Sequence, residues 1–212
     1  MESFDLLETL RWAPDEGYVL LDRHLQRLCD SAEFFGHRCP LDRIRAALVG
    51  AVAGAAAPAR VRLLLPQNGE PRVEVSPLQP LPTPLRVGLA VSPIDPADLF
   101  FWHKTTRREC YERHRLASHD ETVLWNPARE VTEAITANVV VELEGRRVTP
   151  PAACGLLPGT MRADLLARGE VFEARVTVEQ LVQAPRFWLI NSVRGWQDAV
   201  LEPSGITPES TH

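Results

Sequence analysis

The chain has 212 residues, of which 45% are hydrophobic and 24% are charged, and this composition is typical of a globular protein. A formal net charge of −5 argues against nucleic acid or an anionic membrane surface as the main partner. The acidic start lacks the basic and apolar segments of a signal peptide, and the uncharged, alanine-rich stretch 48–59 is too short to span a membrane.

Four cysteines are scattered along the chain, at Cys29, Cys39, Cys110 and Cys154. Their spacing does not form the paired pattern of a zinc site, so we expect no metal. Because no export signal is apparent, we expect reduced thiols and a cytoplasmic location.

The apolar spacing of the first half predicts strands, then helices, then strands. In chain order these are a strand at 4–12, a helix from 22 to about 36, a helix from 41, a hairpin around 61–65 and 73–75, and a strand at 85–91. Asp22 is expected to cap the first helix, and Asn68-Gly69 to form the hairpin turn. Prolines at 93–96 predict a boundary between a small α+β domain, 1–95, and a larger β-rich domain, 96–212.

The second half has more strands than helices. Its predicted elements are a helix at 106–116, strands at 122–125, 139–143 and 147–149, a helix at 159–169, a strand at 172–176, a short helix capped by Thr177 and Gln180, and a last strand at 187–190. The whole chain is therefore predicted to have an α+β fold in two layers or lobes.

Lys104 is the only lysine in the sequence. It lies between an aromatic run, 99–102, and a polar helix start. Aromatic neighbours that exclude water and nearby cationic groups lower the pKa of an amine, which favours a nucleophile. The alternative is a surface lysine in an arginine-rich chain.

Three further segments carry residues of chemical interest, each with an ordinary alternative. Glu133 belongs to a segment, 130–138, that we place in a loop between strands, where a carboxylate is usually solvated. Pro158 and Gly159 open a helix whose free amides can bind phosphate, although most helix starts bind nothing. Arg27 lies on the polar flank of the first helix, where a surface arginine is the default.

In their order along the chain, these segments resemble the signature blocks of the class IV aminotransferase family. The matching blocks are FWHKTTR at 101–107, EVTEAITAN at 130–138 and GLLPGTMR at 155–162. Two earlier blocks, LETLR at 7–11 and HLQRL at 24–28, are similar to the small domain of that family. The closing block, NSVRGW at 191–196, resembles the 4-amino-4-deoxychorismate lyase branch, including lyase domains fused to the synthase.

The resemblance implies a role for each matching residue. It implies that Lys104 holds pyridoxal 5'-phosphate as a Schiff base and then moves the substrate proton. It implies that Glu133 pairs with the pyridine nitrogen. The cofactor phosphate is expected to contact Arg27, Gly159, Thr160 and Ser192. Arg11 and Arg194 are candidates to meet substrate carboxylates, and Asn138 is expected to be structural.

The same resemblance implies a two-domain fold like that of D-amino-acid aminotransferase, with the cofactor in the cleft, and a homodimer. It implies an aminodeoxychorismate lyase that forms 4-aminobenzoate and pyruvate for folate synthesis. A branched-chain or D-amino-acid aminotransferase and a non-catalytic partner subunit are the alternatives. The family usually has an extra strand and a Gly-Asp-Gly turn before the block at 7–11, so we expect the cofactor site to match more closely than the substrate side.

Overall fold

The computed structural model describes residues 3–202 as two β-sheets with short helices around them. The strands are β1 (Leu6–Ala13), β2 (Gly17–Tyr18), β3 (Ala59–Leu65), β4 (Arg72–Pro77), β5 (Leu85–Leu89), β6 (Glu121–Trp125), β7 (Val131–Ala134), β8 (Asn138–Leu143), β9 (Arg146–Thr149), β10 (Phe172–Glu173), β11 (Phe187–Asn191) and β12 (Gly195–Leu201). The α-helices are α1 (Leu21–Phe35), α2 (Leu41–Ala51), α3 (Glu109–Glu112), α4 (Thr160–Ala167) and α5 (Val178–Gln183). This arrangement confirms the predicted α+β class.

The smaller sheet has the antiparallel order β2-β1-β3-β4 and is covered on one face by α1 and α2. The alternation of β1 and β3 sends every second apolar side chain to that face, where it meets the apolar side of the two helices. The buried residues of this core include Leu6, Leu10, Leu25, Leu28, Ile44, Leu48, Val61 and Leu63. The other face of the sheet is left to line a cavity.

Helix α1 ends as the sequence predicts but begins differently. Gly36 takes the left-handed conformation, with φ of 71°, that commonly ends a helix. At the start, Leu20 rather than Asp22 is the cap residue, so the expected Asp22 cap is wrong. Asp22 lies in the first turn instead, where a carboxylate is favoured by the helix dipole.

The larger sheet has the order β10-β9-β8-β11-β12-β5-β6-β7. β7 also pairs with β8 through Glu133 and Asn138, so the six strands from β8 to β7 close into a ring. Apolar side chains that include Val87, Val123 and Val139 fill its core. Strand β5 belongs to this larger sheet although it precedes residue 95. We therefore propose that the small domain ends between β4 and β5. The predicted boundary at 95/96 stays a prediction.

Two predicted elements of the second half are shorter than expected, and one strand was not predicted. The helix expected at 106–116 is reduced to α3, because Thr106 donates its amide to Asp5 and joins the edge of the small sheet. The strand expected at 172–176 has two residues. Strand β12 follows a turn at the end of β11, but its half-exposed residues show no clear alternation that would have revealed it.

The structure contradicts the expectation of four reduced thiols. Cys29 on α1 and Cys39 before α2 form a disulfide, with their Cα atoms 5.8 Å apart. The reversal of the chain after Gly36 brings the two residues together. Cys110 and Cys154 are free and buried.

The helices within residues 3–202 include none with the length and apolar character needed to cross a membrane. In the same part of the chain, no three His, Cys, Asp or Glu side chains are grouped so as to hold a metal ion.

Candidate active site

A cavity of about 520 Å³ lies between the uncovered face of the small sheet and the strands of the larger one. This volume suits a small-molecule ligand. Of the eight residues to which the resemblance gave a cofactor or substrate role, seven line it, namely Arg27, Lys104, Glu133, Gly159, Thr160, Ser192 and Arg194. Arg11 does not line it: its guanidinium lies 3.8 Å from the carboxylate of Glu16 in the β1–β2 turn.

Lys104 is fixed through its backbone to the start of β1. The amide of Leu7 donates to the Lys104 carbonyl over 2.9 Å. The pKa of the Lys104 amine is lowered to about 8. Burial is the largest cause, the positive charges of Arg27 and Arg108 act in the same direction, and the negative charges of Glu8 and Glu133 oppose them. An amine with this pKa is partly neutral near physiological pH, so it can act as a nucleophile and a base.

Glu133 lies on β7, directly across from Asn138 on β8, and not in the solvated loop that we expected. Its Oε1 accepts hydrogen bonds from the Tyr111 hydroxyl at 2.9 Å and from the Leu157 amide at 3.0 Å. Its Oε2 has only a 3.4 Å contact with the Asn138 amide. Burial outweighs these hydrogen bonds and the charge of Lys104, and it raises the pKa of Glu133 to about 8.

Glu8 on β1 holds two basic side chains of α1. Its carboxylate accepts two hydrogen bonds from Arg27 and one from Nδ1 of His24, the last over 2.7 Å. Burial acts to raise the pKa of Glu8, but the charges and hydrogen bonds of Arg27 and His24 outweigh it and lower the pKa to about 2. Glu8 is therefore ionised at neutral pH, and it orients both basic side chains.

Hydroxyl groups and helix amides gather at the same end of the cavity. Nε2 of His24 lies 2.9 Å from the Ser192 hydroxyl and 3.2 Å from the Thr160 hydroxyl. Gly159 precedes the first turn of α4 and offers no side chain to cap its amides. A Cβ at Gly159 would overlap Oδ1 of Asn138, so only glycine allows this close approach.

Three separate features of this site fit pyridoxal phosphate. The α4 start, with Arg27, is a cationic and amide-rich site suited to a phosphate. Lys104 supplies an amine of lowered pKa. Glu133 is a buried carboxylate with one weakly bonded oxygen, and a protonated ring nitrogen facing that oxygen would stabilise its ionised form.

Comparison with known proteins assigns the chain to a family. The profile described as amino-transferase class IV matches residues 5–200. The chain belongs to the class IV aminotransferase family. The Schizosaccharomyces pombe protein named "Putative aminodeoxychorismate lyase" is 29% identical over 208 residues, which cover 92% of this chain and 88% of that protein. Membership in this family and this similarity indicate a pyridoxal-phosphate-dependent enzyme.

Solved structures agree with this class IV fold. A structure from Mesorhizobium loti, titled "Putative amino-acid aminotransferase", is 36% identical, covers 94% of this chain and 100% of its own, and has a TM-score of 0.88. A "Putative 4-amino-4-deoxychorismate lyase" from Legionella pneumophila is 20% identical, covers 99% of this chain and 87% of its own, and has a TM-score of 0.83. The second likeness concerns the fold alone.

Several residues that line the cavity of this class IV enzyme, or that contact its lining residues, were not identified from the sequence. Glu8 and His24 lay in blocks that we had matched, but we gave them no role. The three-residue spacing of His24 and Arg27 on one helix places both on the same face, which was an available signal. Tyr111 and Arg108 follow Lys104 along the chain, yet nothing in their local pattern pointed to Glu133.

Proposed function

We propose that this enzyme is a 4-amino-4-deoxychorismate lyase that forms 4-aminobenzoate and pyruvate. The observation that carries the proposal is a cavity that contains Lys104 and Glu133, in a chain similar over 92% of its length to the S. pombe protein named as a lyase. The NSVRGW segment, which resembles the lyase branch of the family, also supports the lyase proposal, because its Ser192 and Arg194 line the cavity.

Residues from both sheets would hold the cofactor. Arg27, Thr160, Ser192 and the first amides of α4 would bind its phosphate, and Glu133 would face its ring nitrogen. Lys104 would attach it covalently. When bound, pyridoxal phosphate supplies an electron sink for the carbanion that proton removal leaves on the substrate.

Lys104 is the residue that moves protons in this proposal. After the substrate's amine has displaced it from the cofactor, Nζ of Lys104 would remove the proton from the ring carbon that bears that amine. In the cofactor-free protein the pKa of this amine is about 8, so part of it is neutral near physiological pH. The adjacent C–O bond then breaks, the enolpyruvyl oxygen keeps the electron pair, and the ring becomes aromatic. Lys104 would return the proton to the methylene carbon of the leaving fragment, which yields pyruvate.

Glu133 would keep the ring nitrogen protonated during this reaction. A carboxylate buried among neutral donors is stabilised by a cationic partner more strongly than a solvated one. Tyr111 and the Leu157 amide fix its position by hydrogen bonds of 2.9 and 3.0 Å. Glu133 therefore acts through the cofactor and not on the substrate.

Amino-group transfer is the second candidate function. It is favoured by the M. loti structure, whose title names an amino-acid aminotransferase and which is 36% identical over 94% of this chain. This reaction would use the same Lys104 and Glu133, followed by a 2-oxo acid as acceptor of the amino group.

We further propose that the enzyme is a homodimer. Phe34 is 55% exposed and stacks on His103, the neighbour of Lys104, with ring centroids 4.4 Å apart. An exposed aromatic side chain beside an active site is the kind of surface that a second subunit covers. Light scattering of the purified protein should give twice the chain mass.

The two candidate reactions are separated by product analysis. Purified protein loaded with pyridoxal phosphate is given enzymatically generated aminodeoxychorismate, and in a parallel assay branched-chain or D-amino acids with a 2-oxo acid. Formation of 4-aminobenzoate and pyruvate in equal amounts supports the lyase. Amino-group transfer without formation of 4-aminobenzoate would contradict the lyase proposal and support an aminotransferase. No turnover in either assay would support a non-catalytic subunit.

A further inference from the structure

The uncovered face of the small sheet carries two arginines over the cavity. Arg60 and Arg62 alternate on β3 with the core residues Val61 and Leu63, so both point away from the core. Arg194 approaches from the turn between β11 and β12. All three arginines line the cavity that contains Lys104.

Only one of these three guanidinium groups has an acidic partner. Arg62 contacts Glu74 at 2.8 Å. Within residues 3–202, no carboxylate lies at ion-pair distance from Arg60 or Arg194, and Arg194 donates a hydrogen bond to the Gln79 carbonyl. Burial lowers the pKa of Arg60, the charges of Arg62 and Arg194 act in the same direction, and the charge of Glu74 opposes them. Arg60 and Arg194, two cations in one cavity that have no ion-pair partner of their own in the described part of the chain, are suited to bind an anion.

This cationic group lies well away from Lys104 along the strands. Leu7, whose amide binds the Lys104 carbonyl, is paired with Leu64, and Arg11 is paired with Arg60. The four residues from Leu7 to Arg11 span about 13 Å at the usual rise of a strand. Because these long side chains reach into the cavity from its two ends, a ligand that contacts both ends carries its anionic group and its reacting amine on opposite sides.

We propose that Arg60 and Arg194 form a subsite for a carboxylate that lies on the far side of the substrate from its reacting amine. This inference rests on the proposed function and names the class of its substrate: a ring amine with a carboxylate across the ring. An α-amino acid carries its carboxylate on the carbon next to the amine, so the two groups cannot lie on opposite sides of the ligand. The subsite thus favours aminodeoxychorismate over simple amino acids.

Ligand binding to the cofactor-loaded enzyme tests the subsite. Calorimetry compares 4-aminobenzoate with the neutral 4-aminobenzamide in wild-type protein and in the R60Q, R60K and R194Q variants. We expect R60Q to lower the affinity for 4-aminobenzoate at least about tenfold, because a charge-assisted hydrogen bond is lost. Its affinity for 4-aminobenzamide should stay within about twofold of the wild-type value. R60K should recover part of the affinity. R43Q, which removes an exposed arginine of α2 paired with Glu70, is the control.

Thermal unfolding separates a binding role from a structural one. Removing an arginine that is repelled by two others should leave the melting temperature of R60Q unchanged or raise it. The proposal is overturned if wild-type protein does not discriminate the acid from the amide, if R60Q binds both as wild type does, or if R60Q weakens both equally while its melting temperature falls.

The same variants separate this inference from the proposed lyase function. If the wild-type protein makes no 4-aminobenzoate but binds it in an Arg60-dependent way, the lyase proposal fails and the subsite stands. If R60Q makes 4-aminobenzoate with the wild-type KM, the subsite is overturned and the lyase stands.

Discussion

The carboxylate of Glu8 holds the guanidinium of Arg27 through two hydrogen bonds, from Nε to Oε1 at 2.8 Å and from Nη2 to Oε2 at 2.6 Å. Glu8 is 1% exposed, and the remaining Nη1 of Arg27 donates to the Pro158 carbonyl at 3.2 Å. Strand β1 therefore orients an α1 side chain toward the start of α4. This planar two-point contact requires an arginine, because a lysine offers only a point charge.

Substituting Glu8 tests whether this contact supports the phosphate site. We expect E8Q to weaken cofactor affinity about tenfold or more, because Arg27 and His24 lose the charge that orients them. Because the folded-state pKa of Glu8 is about 2, its stabilising contribution is present above pH 4.5 and is lost as the pH falls toward 2. Cofactor titration followed by fluorescence, and acid unfolding, measure the two effects.

The matched control is E16Q, which removes an exposed carboxylate from the adjacent turn. Equal cofactor affinity in E8Q and wild type would mean that Arg27 needs no help from Glu8.

Glu133 makes the cofactor-free protein sensitive to pH. Its folded-state pKa of about 8 lies above the ordinary value of 4.5, so its contribution to stability is fully present below pH 4.5 and is lost as the pH rises through 8. We therefore expect the melting temperature of wild-type apoprotein to fall between pH 5 and 8, and that of E133Q to fall less. Lys104 is protonated in both states over most of this range, so it adds little to the slope.

E130Q provides a control from the same segment, since Glu130 pairs with Arg175 outside the cavity. E133Q should also lower the turnover of the loaded enzyme by about a hundredfold or more, with the cofactor still attached. Full turnover in E133Q would exclude a role for this carboxylate at the ring nitrogen.

Gly159 is a position at which an added side chain would collide with a neighbouring residue, Asn138. We expect G159A to lower the free energy of unfolding by about 1–3 kcal/mol and to weaken cofactor binding, because its Cβ overlaps the Asn138 amide. Denaturant unfolding measures the first effect and cofactor titration the second.

G50A is the comparison, because Gly50 lies in α2 and an added methyl group there would have no heavy atom within 4 Å. That change should stabilise the protein by about 0.5–1 kcal/mol, as alanine does in a helix. A G159A variant that is as stable as wild type and binds cofactor equally would contradict the tight packing of Gly159 on Asn138.

The Cys29–Cys39 disulfide joins α1 to the segment before α2. Closing a loop with a sequence separation of 10 should stabilise the oxidised protein by about 2–3 kcal/mol relative to C39S. Denaturant unfolding with and without reductant measures this difference. Thiol titration of the unfolded, non-reduced protein should find Cys110 and Cys154 free, and four reactive thiols would contradict the bond.

The sequence was sufficient where local pattern decides the structure. The three- and four-residue apolar spacing of α1, the turn-forming Gly36 and the alternation of β1 and β3 all predict the elements that are observed. The aromatic neighbours of Lys104 similarly indicated an amine of lowered pKa. These features depend on residues that are close in the chain.

Long-range pairing decided the features that the sequence could not show. Glu8 meets His24 and Arg27 only after β1 is packed on α1, and His24 reaches Ser192 across 168 positions. Glu133 looked like a loop residue because its strand has only four residues and is held by pairing with β6 and β8, which are distant contacts that no local pattern shows. The Arg60 and Arg194 pair comes from two different sheets, so no local spacing could have joined them.

The attachment site of the cofactor is the most direct test of the proposed chemistry. Protein loaded with pyridoxal phosphate is reduced with borohydride, digested and mapped by mass spectrometry, with K104A treated in parallel. We predict one modified peptide, carrying the cofactor on Lys104, and a K104A protein that folds, retains no covalent cofactor after reduction and forms no product. Modification elsewhere in the wild type, or undiminished product formation by K104A, would contradict the assignment of Lys104 as the residue on which the chemistry depends.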